Sequence, residues 1–251
     1  MPHLSKQIVD GLYSYIWQGR GNNCNTYVLA NVLLGERPHV IIDPGFITNE
    51  LREPCFDSLA ATMRRDGLAI EDIGLIIDTH THPDHCQATE TIVERSIRQE
   101  QEGKVGQAIT ALSREEEEYY KTMGESMFGM FGMKVARLDP FIYLVEGDLS
   151  LGQAEGKVDL QVLLTPGHSP GSICLYWPDR KVLITGDVVF FGSVGRTDFP
   201  GGSMSTLKGS IDKLSELDVE YLLPGHSTEF GGIVEGGEMV KRNFQAIGYL
   251  F

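Results

Sequence analysis

The chain has no apolar run of about 18 residues, so none of it reads as a membrane-spanning helix. Cations are scarce: 21 lysines and arginines stand against 35 aspartates and glutamates, a net charge of −14. Holding nucleic-acid phosphates takes clustered Lys and Arg, so no nucleic-acid groove is expected. Cysteine is sparse, and Cys24, Cys55, Cys86 and Cys174 form no C-x-x-C pair. Free, packed thiols are predicted. The opening Met1-Pro2-His3-Leu4-Ser5-Lys6 carries no apolar leader, from which a cytoplasmic location is expected. No linker rich in Pro, Ser or charge interrupts the chain. Its 251 residues, 41% hydrophobic, are therefore read as one domain over 1–251 with a sizeable core.

What the sequence does have is histidine in one place. Residues 79–85 read Thr-His-Thr-His-Pro-Asp-His, directly after the apolar run Leu75-Ile76-Ile77. With that run as a strand, the following loop presents His80 and His82 to one point and turns Asp84 and His85 to a neighbouring one. Pro83 suits the first turn of a helix that Gln87 to Gln99 continues. Imidazole and carboxylate are the donor set for zinc or iron(II), and four donors this close compete unless a cation joins them.

The same device recurs. Val40-Ile41-Ile42 ends in Asp43, either a turn residue or a support behind the metal ligands. Leu160 to Leu164 precedes Pro166-Gly167-His168-Ser169, Val182 to Ile184 precedes Asp187, and Tyr221 to Leu223 precedes Pro224-Gly225-His226-Ser227. Strands carrying polar donors at their carboxyl ends are how α/β sheets assemble a site, and the glycines let backbone approach it. His3 and His39 are left without a chemical role.

Elsewhere the signals are structural. Residues 8–17 and 24–34 read as an antiparallel hairpin around Gly19 and Gly21, and 54–66 as a helix stopped by Gly67. Residues 90–137 read as a helical, Met/Phe-rich insertion, with a short strand at Val105 to Leu112. Ser113 and Glu116 make a capping box, and Glu115 to Glu118 a solvated helix face. Met123, Met127, Phe128, Met130, Phe131 and Met133, set between glycines, suit a flap over a substrate or a homodimer contact, with core packing as the plainer reading. Cys86 is expected as a small buried residue at a helix start, and Arg196 with Asp198 as a buried salt bridge that could instead meet an anionic substrate.

The ordered series His80-x-His82-x-Asp84-His85, His168, Asp187, His226 resembles the metallo-β-lactamase superfamily, and within it the glyoxalase II-like branch. The segment Thr185-Gly-Asp-Val-Val-Phe-Phe-Gly-Ser-Val-Gly-Arg-Thr-Asp-Phe-Pro-Gly-Gly202 and the Asn23-Cys24-Asn25 turn are similar to that branch. The resemblance implies an α/β four-layer αββα sandwich of two mixed sheets flanked by helices. It places His80, His82 and His168 on a first metal and Asp84, His85 and His226 on a second, with Asp187 bridging. Zn2+ is the expected ion, with Fe2+ and Mn2+ as alternatives.

The implied chemistry is hydrolysis. Two such ions lower the pKa of a bridging water from about 15.7 to roughly 7, and Asp84 and Asp187 aim the resulting hydroxide at an ester-like carbonyl of a small-molecule substrate. A thiolate of pKa about 8.5 leaves without prior protonation, which favours a thioester over a lactone. Phe190 stands where many lactonases of the superfamily carry a tyrosine. Only 25 residues follow His226, so the glutathione-binding helical domain of glyoxalase II enzymes is not expected. A mononuclear iron persulfide dioxygenase, using His80 or His82 with His168 and Asp187, is the oxidoreductase alternative. A scaffold that keeps the metal without turnover is the third.

Overall fold

Short β-branched runs turn alternate side chains to opposite faces, and here both faces are covered. In Val40-Ile41-Ile42 and Leu75-Ile76-Ile77 the outer residues of each triplet pack into the centre of the molecule, while Ile41 and Ile76 pack outward beneath helices. The computed structural model describes residues 2–130, 132–133, 135–153 and 156–251.

Seven strands form the first sheet in sequence order: β1 (His3–Val9), β2 (Leu12–Trp17), β3 (Thr26–Leu29), β4 (His39–Ile42), β5 (Ile73–Ile77), β6 (Ile109–Ser113) and β7 (Ile142–Leu144). The first four pair antiparallel and the rest parallel. The other strands are β8 (Gly147–Leu151), β9 (Val158–Leu164), β10 (Ile173–Trp177), β11 (Val182–Gly186), the small hairpin β12 (Val189–Phe190) and β13 (Ser193–Val194), β14 (Tyr221–Pro224) and β15 (Val234–Glu235). The second sheet runs β15-β14-β11-β10-β9-β8.

Leu12, Leu29, Ile42 and Ile77 of the first sheet meet Leu160, Leu175, Val182 and Leu223 of the second in a middle layer. Helices α1 (Cys55–Arg65) and α2 (Pro83–Gln101) cover the first sheet through Phe56, Leu59, Met63 and Ile92. Two short helices, α3 (Arg114–Tyr119) and α4 (Glu125–Met130), follow β6. Helices α5 (Met204–Ser215) and α6 (Gly237–Ile247) cover the second sheet through Leu207, Ile211 and Ile247. The result is the four-layer αββα sandwich that the sequence led us to expect. Each fully buried aliphatic side chain contributes about 1.5–3 kcal/mol, so the middle layer fixes how the two sheet edges face each other.

Two sequence expectations change. Residues 8–17 are not one strand, because Asp10-Gly11, with Gly11 at φ +77°, turns the chain between β1 and β2. The supposed insertion at 90–137 contains β6, the parallel partner of both β5 and β7, so its helical excursion from the sheet begins only at Arg114. Phe131 of the Met/Phe segment lies outside the described residues. No helix among them is long and apolar enough to cross a membrane.

Candidate metal centre

Strands β4, β5, β9, β11 and β14 deliver their carboxyl ends to one edge of the sandwich. After β5 the chain is held by Asp78 N–H to Ala111 O (3.1 Å) and Thr79 N–H to Asp43 Oδ1 (2.7 Å). Pro83 opens α2 as its spacing predicted, and Asp84 and His85 occupy the first helical turn. Strands β11 and β14 are parallel, and an irregularity at their ends sets Gly186 beside Pro224. Asp187 is thereby brought beside Gly225. A Cβ on Gly225 would stand 2.3 Å from Asp187 Oδ1, so only glycine fits there. Gly167 serves differently from what its motif suggested: a Cβ there would strike Leu207 of α5, not the cluster.

All seven expected donors converge. Ligand-capable atoms of His80, His82 and His168 lie within 4.8 Å of one another, as do those of Asp84, His85 and His226. A third such set, His80, His85 and Asp187, joins the two. Asp187 Oδ1 is 3.1 Å from His85 Nε2, and its Oδ2 lies 3.5 Å from His226 and 3.6 Å from His168. It thus sits between the two groups.

The ring protons have few places to go. Thr79 Oγ1 donates to Asp43 Oδ2 (2.7 Å), so towards His80 Nδ1, 3.1 Å away, it acts as acceptor. His168 Nδ1 donates to the Arg196 carbonyl at 2.7 Å. Both rings then turn a bare Nε2 lone pair to the centre, where the two atoms stand 3.2 Å apart. His82 Nδ1 lies 2.8 Å from the same His168 atom. Lone pairs facing each other repel, whereas nitrogens sharing one tetrahedral ion at 2.0–2.1 Å sit about 3.3 Å apart. Asp187 Oδ1 is buried without a hydrogen-bond donor aligned on it. The donors fit divalent cations.

The electrostatics agree. Burial and the surrounding imidazoles push His80 well below its ordinary pKa, and burial with the adjacent His168 lowers His82 to about 3. These rings are neutral, as ligands must be. Around Asp84 and Asp187, burial favours the neutral acid, but His226 and His85 outweigh it and hold both carboxyls below the usual range.

Two buried carboxylates brace the donors. Asp43, left-handed at φ +53°, accepts from Thr79 N–H, the Thr79 hydroxyl and His85 Nδ1 (2.9 Å). The turn and the supporting role proved to be one residue's work. Glu116 is fully buried and accepts from Thr81 N–H and its hydroxyl (both 2.9 Å), the Ser169 hydroxyl (2.7 Å) and Gly171 N–H (2.8 Å). It ties the His80/His82 loop to the His168 loop. The expected solvated face at Glu115 to Glu118 is therefore corrected at Glu116 and Glu117, both buried. Ser113 does cap α3 by accepting from Glu116 N–H, but the Glu116 side chain turns inward instead of reaching back.

A cleft of about 440 Å³ opens over the donors, walled by Phe46, Phe128, Met133, Phe190, Val194 and Phe199. Phe128 is buried and stands edge-on to His82 at 5.3 Å, with Phe199 at 5.5 Å on the same ring. The Met/Phe segment thus divides: Phe128 packs inward, Met133 lines the cleft, and Met130 is exposed. Arg196 is not in a buried salt bridge. Its guanidinium forks onto Asp198 (2.7 Å for each bond) with both side chains more than half exposed, and it lies 4.0 Å over the Phe199 ring. Cys86 is buried as expected, and all four thiols are free. His3 and His39 bond to Ser58 and to Asn31 N–H, away from the cluster.

Sequence reasoning missed Glu116, hidden in an acidic run, and Asn22, whose amide donates to Asp84 Oδ2 at 2.6 Å. Asn22 directly precedes the recognised Asn23-Cys24-Asn25 turn, which was the available signal.

The chain resembles known proteins throughout. It is 32% identical over 213 residues to a probable metallo-hydrolase of Methanocaldococcus jannaschii, covering 83% of this chain and 89% of that one. It is 31% identical over 244 residues to the acyl-coenzyme A thioesterase MBLAC2 of Bos taurus, covering 91% and 82%. A crystal structure of TTHA1623 in a di-iron-bound form superposes with a TM-score of 0.62 at 27% identity, over 88% of this chain and 93% of that one. The model of the metallo-beta-lactamase superfamily matches residues 19–226, and the chain belongs to that family.

Proposed function

We propose that this protein is a hydrolase that holds two divalent cations and cleaves thioesters. The observation that carries the reading is the placement of Asp187 between two complete groups of donors at the floor of an apolar cleft. Cations bound there supply an acidic water and an electrophile for a carbonyl oxygen.

The chain's own residues do the rest. His80, His82 and His168 offer nitrogens to one position; Asp84, His85 and His226 serve the other. Asp84 Oδ2, gripped by Asn22 and 3.2 Å from His226 Nε2, keeps an ionised carboxylate at the cleft floor where it can accept a hydrogen bond from water and orient it. The phenylalanine walls exclude solvent and seat the acyl group. No tyrosine or lysine is among the described residues lining the cleft, so no phenol or ammonium there is placed to protonate a poor leaving group. A thiolate needs none. The acyl-coenzyme A thioesterase among the relatives supports the thioester, and the di-iron neighbour supports two metals.

The test is metal analysis of protein purified without added metal, followed by a thioester and lactone panel after loading with zinc, iron(II) or manganese(II). Two metals per chain and thioester turnover are expected. One iron per chain with oxygen uptake on glutathione persulfide would overturn the reading in favour of a dioxygenase; lactone opening without thioester cleavage would make it a lactonase.

A further inference from the structure

A ring that turns one nitrogen to a cation leaves its other nitrogen to a neighbour, and His82 differs from the rest in what that neighbour is. His80, His85 and His168 each set Nδ1 against an oxygen: Thr79 Oγ1 at 3.1 Å, Asp43 Oδ2 at 2.9 Å and the Arg196 carbonyl at 2.7 Å. His82 is turned the other way. Its Nδ1 faces inward, 2.8 Å from His168 Nε2, so its outer nitrogen is Nε2. That atom is buried and meets no hydrogen-bonding oxygen or nitrogen among the described residues. Nor does the side chain cap α2, although His82 is the residue from which that helix starts. What stands around the ring is aromatic: Phe128 at 5.3 Å and 82°, Phe199 at 5.5 Å and 89°. These two cross each other at 84° and 6.5 Å, so three rings meet in one corner.

Resting on the reading that the first group holds a cation, we propose that Phe128 and Phe199 are positioning residues for His82. Their rings take the place of the oxygen that orients each of the other imidazoles. A neutral imidazole has one N–H. Giving the Nδ1 lone pair to a cation leaves that proton on Nε2. A buried N–H without an acceptor is destabilising, and the negative face of an aromatic ring accepts it, though more weakly than oxygen does. Both rings are held in place. Phe128 is 1% exposed and packed in a cluster with Tyr120 and with Cys86 of α2, and the Arg196 guanidinium lies 4.0 Å over Phe199. Both also wall the cleft. The wall that seats the acyl group and the brace behind His82 are therefore one structure, and a substitution made there to admit a larger substrate should loosen the first cation.

Heteronuclear NMR of the zinc-loaded, isotope-labelled protein reads imidazole N–H protons directly. The His168 Nδ1–H, bonded to oxygen, is expected downfield. The His82 Nε2–H is expected well upfield of it, slow to exchange with water and in through-space contact with ring protons of Phe128 or Phe199. Phe128→Leu keeps an apolar side chain and removes the ring. It should move the His82 signal, leave that of His168 in place, and weaken one of the two zinc ions about tenfold in competition titrations. Phe199→Leu should act in the same direction and less strongly, because Phe199 is only half-buried. Leu138→Ala disturbs the cluster that holds Phe128 without removing a ring; it should lower Tm while the His82 signal and both zinc affinities hold. A His82 N–H that resonates beside that of His168, or exchanges freely with water, would overturn the assignment. So would both leucine variants leaving signal and affinity unchanged, or Leu138→Ala losing zinc as Phe128→Leu does. Wild-type protein that takes up no zinc would overturn the cation reading itself, and this assignment with it.

Discussion

His80, His82 and His168 are at most 5% exposed, whereas Asp84 and His226 keep 13% and 19% of their side chains exposed to the cleft. The first group offers three nitrogens and no carboxylate. The second includes a carboxylate, and its imidazoles lean on acids: burial opposes protonation of His85 and His226, yet Asp187, with Asp43 or Asp84, outweighs it and raises both. The supports differ as well: Glu116 braces the loops of the first group, while Asp43 bonds His85 of the second directly and reaches His80 only through Thr79. One group is therefore the more buried set of imidazoles, and the other is the more exposed, acid-bearing side of the cleft. The difference assigns holding chiefly to the first and working chiefly to the second.

Asp187 is the element the two groups share, so its loss should erase the contrast. Asp187→Asn is expected to bring metal content from two per chain to one or fewer, and to lower thioester turnover on the order of 10³-fold, the equivalent of about 4 kcal/mol of transition-state stabilisation. Metal counting and kcat check this. Two metals retained at full occupancy would show that Asp187 does not bridge.

Metal removal should expose the asymmetry directly. A chelator titrated into loaded protein is expected to take the ion from the Asp84 side first, because Asp84 and His226 are the more exposed donors. Binding at a thousand times Kd stabilises by about 4 kcal/mol, so complete removal should lower Tm by roughly 10 °C for a chain of this size. A single step that empties both groups together would break the comparison.

The two supports can be separated by isosteres. Asp43→Asn keeps a residue that tolerates the left-handed backbone at φ +53° but weakens the hold on His85. Glu116→Gln keeps its shape but gives up charge beneath Thr81 and Ser169. Each should cost about 10–100-fold in metal affinity, the first chiefly at the second group and the second chiefly at the first. Competition titrations with a metal indicator would read this, and identical profiles for the two variants would sink the division of labour.

Much of this was legible because each donor follows an apolar run, and a strand that ends in a polar residue announces its own loop. His80 to His85, His168, Asp187 and His226 all carry that mark, and the unbroken apolar runs Val40 to Ile42 and Leu75 to Ile77 bury both faces of their strands. Glu116 carries no such mark. Its role depends on Thr81, Ser169 and Gly171, 35 to 55 residues away, and next to Glu115, Glu117 and Glu118 it reads as one more solvated acid. The aromatic wall was illegible for the same reason: Phe128 and Phe199 meet only across the finished edge. Local pattern reports where a chain turns, and the partners it turns toward come from topology.

Arg196 offers the finest test of what proximity to the cleft means. It stood among the sequence candidates, and it lines the cleft, yet its guanidinium is committed to an exposed fork with Asp198. Exposed pairs of this kind contribute little, since water and salt screen them. What Arg196 gives the centre is its backbone carbonyl, which fixes the proton of His168 on Nδ1, and a side-chain substitution leaves that in place. Arg196→Ala should therefore hold Tm within about 1 °C and leave metal content unchanged. Any change in turnover should appear in KM, through the ring of Phe199 that the guanidinium covers. Loss of metal on this substitution would mean that the side chain, and not the carbonyl, orients His168, and the hold on the first group would then rest on the rim of the cleft rather than on its floor.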